Sequence, residues 1–164
     1  MNLPISKPVV ENVYLDLIEP NKLLQDLNTK QFTGFTYLTI HSVHNFEECI
    51  IFFLKGNVAG SIYINNTYNA ELFGKNALDL SFNSLSYSDG LLNIYQLSEE
   101  QLKLVLIFND KIKHSFNLDV KSLSKINFTY KEELFKNILK DKIVEVYPRS
   151  ELFDKFNITE LLRI

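Results

Sequence analysis

Residues 33–65, TGFTYLTIHSVHNFEECIIFFLKGNVAGSIYIN, read as three successive strands. Turns at His44-Asn45 and Lys55-Gly56-Asn57 separate them, and Gly56 and Asn57 are residues that readily accept positive φ. The middle segment, 50–54, is the most continuously apolar run nearby. A strand of that kind is buried on both faces, so this is the centre of a sheet and not a surface hairpin.

Working outward, residues 9–17 read as an extended segment ending at Pro20-Asn21. Residues 22–28 carry Leu23, Leu24 and Leu27 at the spacing of a short amphipathic helix. Gly60 inside the third strand implies a bulge or the close approach of a packed element. The apolar positions of residues 70–85 fit a helix lying on the sheet, and that helix is the expected neighbour of Ala59 and Gly60. Asp89-Gly90 turns the chain into a strand over 91–95. Ser98-Glu99-Glu100-Gln101 forms a capping box. The segment 102–108 has β-branched and aromatic content that a strand would also use, but the cap favours a helix. Residues 111–119 read as extended, with Ile112, His114, Phe116 and Leu118 on one side. Beyond Asn127 the chain becomes a charged helix over 131–140 with a narrow apolar stripe. A short helical arm follows Pro148, with Ser150 as its cap and Asn157 as a left-handed stop.

These elements predict an α+β fold: an antiparallel sheet with helices packed mainly on one face, and a short helical C-terminal arm. The core domain is expected over 9–127 and the helical extension over 128–164. The tail cannot bury its own apolar stripe, so it is expected to pack on the core or on a partner.

Composition narrows the function classes. A chain of 164 residues with 46% hydrophobic content can bury a proper core. Its net charge of −3 lacks the basic surplus that phosphate neutralisation demands, so nucleic acid is not an expected partner. Lys103, Lys111, Lys113, Lys121 and Lys125 are spread too widely to form a cluster and read as a solvated face. Phe35, Tyr37, Phe52 and Phe53 resemble a base-stacking platform in composition, but only Lys55 accompanies them, so they read as core. No apolar run approaches the roughly 20 residues that span a bilayer. The N-terminus has no signal-peptide pattern, and the single Cys49 excludes an intramolecular disulfide. The expectation is a cytoplasmic protein without a membrane partner.

Candidate chemistry is sparse. His41, His44, Glu47, Glu48 and Cys49 fall within nine residues and form the one metal-like cluster. Zinc favours imidazole and thiolate ligands, but strand alternation separates His41 from Cys49 and no second pair completes the set. Gly74-Lys75 has the ending of a phosphate loop, yet Asn69 and Asn76 occupy the places of its first glycine and its hydroxyl. Ser61 has a glycine beside it and not two residues before, so it is no nucleophile elbow. The acid pairs Glu47-Glu48, Glu99-Glu100 and Glu132-Glu133 are adjacent residues, which diverge on helix and strand alike. No catalytic, cofactor-binding or metal residue is therefore assigned, and no cofactor is expected.

The order of motifs FTGFTYLTI, IIFFLKGNVAGSIY, GKNAL and SDGLLNIYQLSEEQLKLVLIFN resembles an archaeal family of uncharacterised proteins, domain of unknown function 2226. Gly34, Gly56, Gly60, Gly74, Ala77, Leu78, Gly90, Ile94, Tyr95, Leu97 and Gln101 occupy its characteristic places over residues 9–115. Asn93 stands where an acidic residue is more typical, and Asn157 replaces a glycine in the tail motif ELFDKFNI. A more distant similarity is to the N-terminal domain of PatA-type response regulators, which look like protein-interaction modules. The resemblance implies no activity. The expectation from the residues is a non-enzymatic protein-interaction or regulatory module, with a protein partner or self-association. The alternative is a small-ligand or metal-binding sensor, using the 41–49 turn or a pocket beside Gly60 and Tyr63.

Overall fold

The computed structural model describes residues 3–4, 6–41 and 46–140. The central strands are β2 (Gly34–His41), β3 (Phe46–Leu54) and β4 (Asn57–Asn65), paired antiparallel in the expected order. Lys55 and Gly56 both have positive φ, 50° and 79°, as a two-residue hairpin turn requires. Asn57 instead begins β4, and its Oδ1 accepts from the Leu118 amide at 3.0 Å. The expected turn at His44-Asn45 lies outside the described residues.

On the other side of β2 lies β6 (Gly90–Gln96), and outside it the edge strand β1 (Pro8–Tyr14). Two register shifts break the β1–β6 ladder, and Asn12 takes a positive φ of 52°. The Asn12 amide donates to Asn93 Oδ1 at 2.9 Å. Asn93 therefore supplies the acceptor oxygen that an acidic residue would bring to that place. Such irregularity also blunts an exposed edge against further pairing. Along the outer edge of β4, β5 (Ala70–Phe73) pairs residues 62–65 and β7 (Lys113–Phe116) pairs residues 58–60, completing a seven-stranded antiparallel sheet.

Residues 70–73 were expected to open the helix and instead form β5. The helix α2 (Gly74–Ser84) starts only at Gly74, whose φ of 63° turns the chain off the sheet edge. Leu72 and Phe73 satisfy a helical period by accident, while their backbone pairs with Tyr63 and Ile62.

The remaining helices are α1 (Pro20–Thr29), α3 (Glu99–Phe108), α4 (Val120–Leu123) and α5 (Glu132–Ile138). The helix reading of the 102–108 segment holds. The Gln101 amide donates to Ser98 Oγ at 3.2 Å and the Ser98 amide to Gln101 Oε1 at 2.9 Å, so both halves of the capping box form.

Strand alternation divides the sheet into two apolar faces. Leu38, Cys49, Ile51, Phe53 and Tyr63 pack under α1, α2 and the α4–α5 region. Phe35, Ile50, Phe52 and Ile62 pack against Leu102 and Val105 of α3 and against Ile112. Among the described residues, helices thus lie mainly on one face, with α3 on the other. Of the expected C-terminal extension, the residues up to 140 pack on the core: Leu139 is fully buried, and Phe128, Leu134 and Ile138 pack against the larger cluster. The arm beyond 140, with Ser150 and Asn157, lies outside the described residues.

Gly60 does mark a close approach and lies beside a bulge, since Phe52 pairs with Gly60 but Phe53 pairs with Val58. The approaching element is not α2. A Cβ on Gly60 would lie 2.8 Å from the Ile112 carbonyl oxygen and 3.3 Å from Leu106 Cδ2, so the neighbours belong to α3 and the turn after it. The residue before β7 must pass tightly over β4 to bring β7 onto its edge. Gly60→Ala should therefore destabilise the fold by about 1–3 kcal/mol, the usual cost of overpacking. Equilibrium urea unfolding checks this, with an unchanged slope and a lower midpoint as the expected result.

Candidate functional site

The structure splits the metal-like cluster of the 41–49 segment. Cys49 and Glu47 point to the helix-covered face, whereas Glu48 and His41 project on the other side of the same ladder. Glu48 accepts a hydrogen bond from the Tyr37 hydroxyl and another from Asn66 Nδ2 at 2.9 Å. Burial and the nearby Glu48 charge push the Tyr37 phenol up to about 12. The exposed His41 ring meets the edge of Phe46. Among the described residues, no three His, Cys, Asp or Glu side chains come close enough to hold a metal ion. His44 lies outside the described residues.

Gly60 and Tyr63 do not share a pocket either. Gly60 faces the α3 side, where Leu106 and Ile112 fill the space, and Tyr63 is fully buried on the α2 side. Ser61 Oγ donates to the Ile50 carbonyl at 3.2 Å and lies 3.3 Å from Ser81 Oγ, so it is held in the core. Lys75 pairs with Asp79 at 2.6 Å, one helical turn along α2.

What sequence reasoning missed is a buried polar cluster beneath α2. Glu47 is 2% exposed, and Ser84 Oγ donates to its Oε2 at 2.9 Å. Tyr63 also hydrogen-bonds this carboxyl, and Asn65 Nδ2 donates to the Tyr63 hydroxyl at 3.4 Å. Burial raises the Glu47 pKa, and the bonds from Ser84 and Tyr63 offset that rise only in part. Burial and then the Glu47 charge push the Cys49 thiol up to about 12. A buried thiol held protonated is neither a nucleophile nor a ready ligand. The Tyr130 phenol, arriving from the segment before α5, is pushed up to about 12 by burial and then by the Glu47 charge. The one signal in the sequence was Glu47 at a position whose alternation points inward with Cys49.

The surface is more suggestive than the core. On α3, Leu102 and Val105 are buried, while Leu104, Ile107 and Phe108 are 54%, 63% and 80% exposed. These three lie at the i, i+3, i+4 spacing that gathers side chains on one helical face. Beside them a cleft of about 330 Å³ runs between α3 and the N-terminal segment, lined by Leu3, Pro4, Gln101, Leu104, Val105, Phe108 and Asn109. Among the described residues, none that lines it is charged. A second cleft of about 330 Å³ adjoins on the far side of Leu3-Pro4, over Phe35, Tyr37 and Tyr95. Phe35 and Tyr95 stack there at 4.8 Å between ring centroids. Among the described residues α3 is the one helix on this face, and apolar surface is left on both sides of the N-terminal segment. Among the described residues, no helix is long and apolar enough to cross a membrane.

The Glu47 carboxyl gives a pH prediction with a definite sign. Its folded pKa lies above the ordinary 4.5, so the native state holds a proton that the unfolded chain has already lost. Stability should therefore fall as pH rises from about 4.5 through the folded pKa, and level off above it. Glu47→Gln should flatten that decline, leaving stability little changed below pH about 4 and raised relative to the parent at neutral pH. Chemical denaturation across this pH range measures it.

No curated protein and no solved structure matches this chain. The family described as Uncharacterized protein conserved in archaea (DUF2226) matches residues 1–109, which take in β1 through β6 and α1 through α3. With about two thirds of its length matched, the chain belongs to this archaeal family.

Proposed function

We propose that this chain is a non-enzymatic, cytoplasmic interaction or regulatory module that works as a pair of identical copies joined through α3. The observation that carries the reading is the row Leu104, Ile107 and Phe108, which is exposed on the outer side of α3. A contiguous apolar patch of this kind marks an association surface more often than an accident of composition. The cleft beside it is uncharged.

That absence of charge favours a second copy as the occupant. Two chains that each carry a net charge of −3 repel weakly overall, and they meet most readily where the facing surface bears none. An apolar row on a straight helix is complementary to itself, so a two-fold axis can lay α3 of one copy across α3 of the other. Cys49 is free, buried and held protonated, which suits a reducing compartment and gives it no part in reactive chemistry.

Light scattering coupled to size-exclusion chromatography tests the reading. The expected mass is twice the 19.1 kDa of one chain. Leu104→Asp combined with Phe108→Asp should weaken association at least a hundredfold, about 3 kcal/mol, with circular dichroism and melting temperature near those of the parent. A chain ending at residue 140 should remain paired, which separates α3 from the C-terminal arm as the contact. A monomer at all concentrations would falsify the proposal, and a dimer indifferent to the two aspartates would remove α3 from it.

A further inference from the structure

We infer that the pocket between α2, β7 and the 125–131 segment binds a small organic anion with an apolar body. The pocket has a volume of about 420 Å³, within the range of sites that enclose a small molecule. Three walls close it: the outer face of α2, the strand β7, and the chain from Lys125 to Lys131. It lies on the helix-covered face, away from α3 and from the proposed pairing surface.

Its floor is apolar. Leu78 and Phe82 of α2, Phe116 of β7, and Leu134 of α5 line it, and the Phe82 ring meets the edges of Phe116 and Phe128 at 5.9 Å and 6.1 Å. Its rim is cationic. Lys75, Lys125 and Lys131 line it against the single carboxylate of Asp79, in a chain whose overall charge is negative. Asp79 is engaged by Lys75. Lys125 and Lys131 carry no ion pair among the described residues. Of the nearby acids, Asp119 caps α4 by accepting from the Ser122 amide at 2.7 Å while lying within reach of the Lys121 and Lys125 charges, and Glu132 pairs with Lys136 at 2.9 Å.

The wall that carries these lysines is fixed in place. Asn83 Oδ1 accepts from the Lys131 amide at 2.8 Å, and Asn83 Nδ2 donates to the Lys131 carbonyl at 3.2 Å. This reciprocal pair ties the 125–131 segment to α2, so the pocket is formed before any ligand arrives and little ordering cost opposes binding. Ammonium groups held in no ion pair among the described residues, above an aromatic and aliphatic floor, recognise a molecule with a carboxylate or phosphate at one end and a hydrocarbon body at the other. Lysine acts as a point charge, so either head group satisfies it.

Isothermal titration with octanoate, octyl phosphate and 1-octanol tests this directly. Both anions should bind, and octanol should bind at least tenfold more weakly. Whichever anion binds more tightly identifies the natural head group. Lys125→Glu combined with Lys131→Glu alters exposed side chains only, so the unliganded melting temperature should hold while affinity for both anions falls tenfold or more. The Leu104→Asp, Phe108→Asp chain should bind the anions as the parent does, which keeps this site independent of the pairing surface. Equal binding of octanol, indifference to the lysine reversals, or no binding by either anion would each overturn the inference.

Discussion

Everything in this fold answers to the double burial of β3. Cys49, Ile51 and Phe53 point to one side of the sheet, Ile50 and Phe52 to the other, and all five are buried. Each large apolar side chain removed from water contributes roughly 1.5–3 kcal/mol, so a sheet with such a strand at its centre cannot leave either face open. Flanking strands alone do not provide a cover, because they extend the sheet without roofing it. The chain must place helices on both sides, and the connections after β1, β5 and β6 do so: α1 and α2 go to one face and α3 to the other. The tight passage over Gly60 follows from the same demand, since the chain leaving α3 must return to the edge of β4 while still covering Phe52 and Ile62.

The two covers are unequal, and the candidate surfaces follow from the inequality. On the crowded face α2 is itself roofed by α5 and the segment before it, so that eight of the eleven residues of α2 are buried. There the protein places its polar cluster around Glu47 and ties Asn83 to the backbone of Lys131. Among the described residues the opposite face has one ten-residue helix, whose outer side carries exposed apolar residues. A helix in contact with the sheet has no structural need for Leu104, Ile107 and Phe108 on its far side. Their presence is a property of the surface and not of the core, which makes it informative about association.

How much of this was legible depended on whether the deciding signal was local. The β2–β4 triplet was readable because alternation, a Lys-Gly turn and a doubly apolar central run all agree. The start of α3 was readable because Ser98 and Gln101 carry their own hydrogen-bonding logic. Residues 70–73 were misread because helical periodicity at Leu72 and Phe73 is degenerate with a short edge strand, and only pairing with residues 62–65 decides between them. The neighbour of Gly60 was misassigned for a related reason: a glycine announces an approach but not what approaches. The site features were least legible of all. Alternation correctly separates His41 from Cys49, but Glu47 becomes notable only once α2 is laid over it, and the pocket walls come together from segments some 50 residues apart in sequence.

The extent of the family match gives these surfaces different standing. It ends at residue 109, just past the end of α3 at Phe108, so the helix proposed for pairing lies wholly within the matched part. The lysine-rimmed pocket does not. One wall and part of its floor come from α2, inside the match, while β7, the 125–131 wall and Leu134 come from beyond it. The matched part alone would leave the 58–60 edge of β4 unpaired and the outer side of α2 bare, and the residues from 110 to 139 remedy both. Covering α2 needs only apolar contacts, which Ile126, Phe128, Leu134 and Leu139 supply. It does not require two lysines outside any ion pair of the described residues at the mouth of a cavity. The segment that completes the core therefore does something more than complete it, and that surplus of charge over structural need is what marks the pocket as a site.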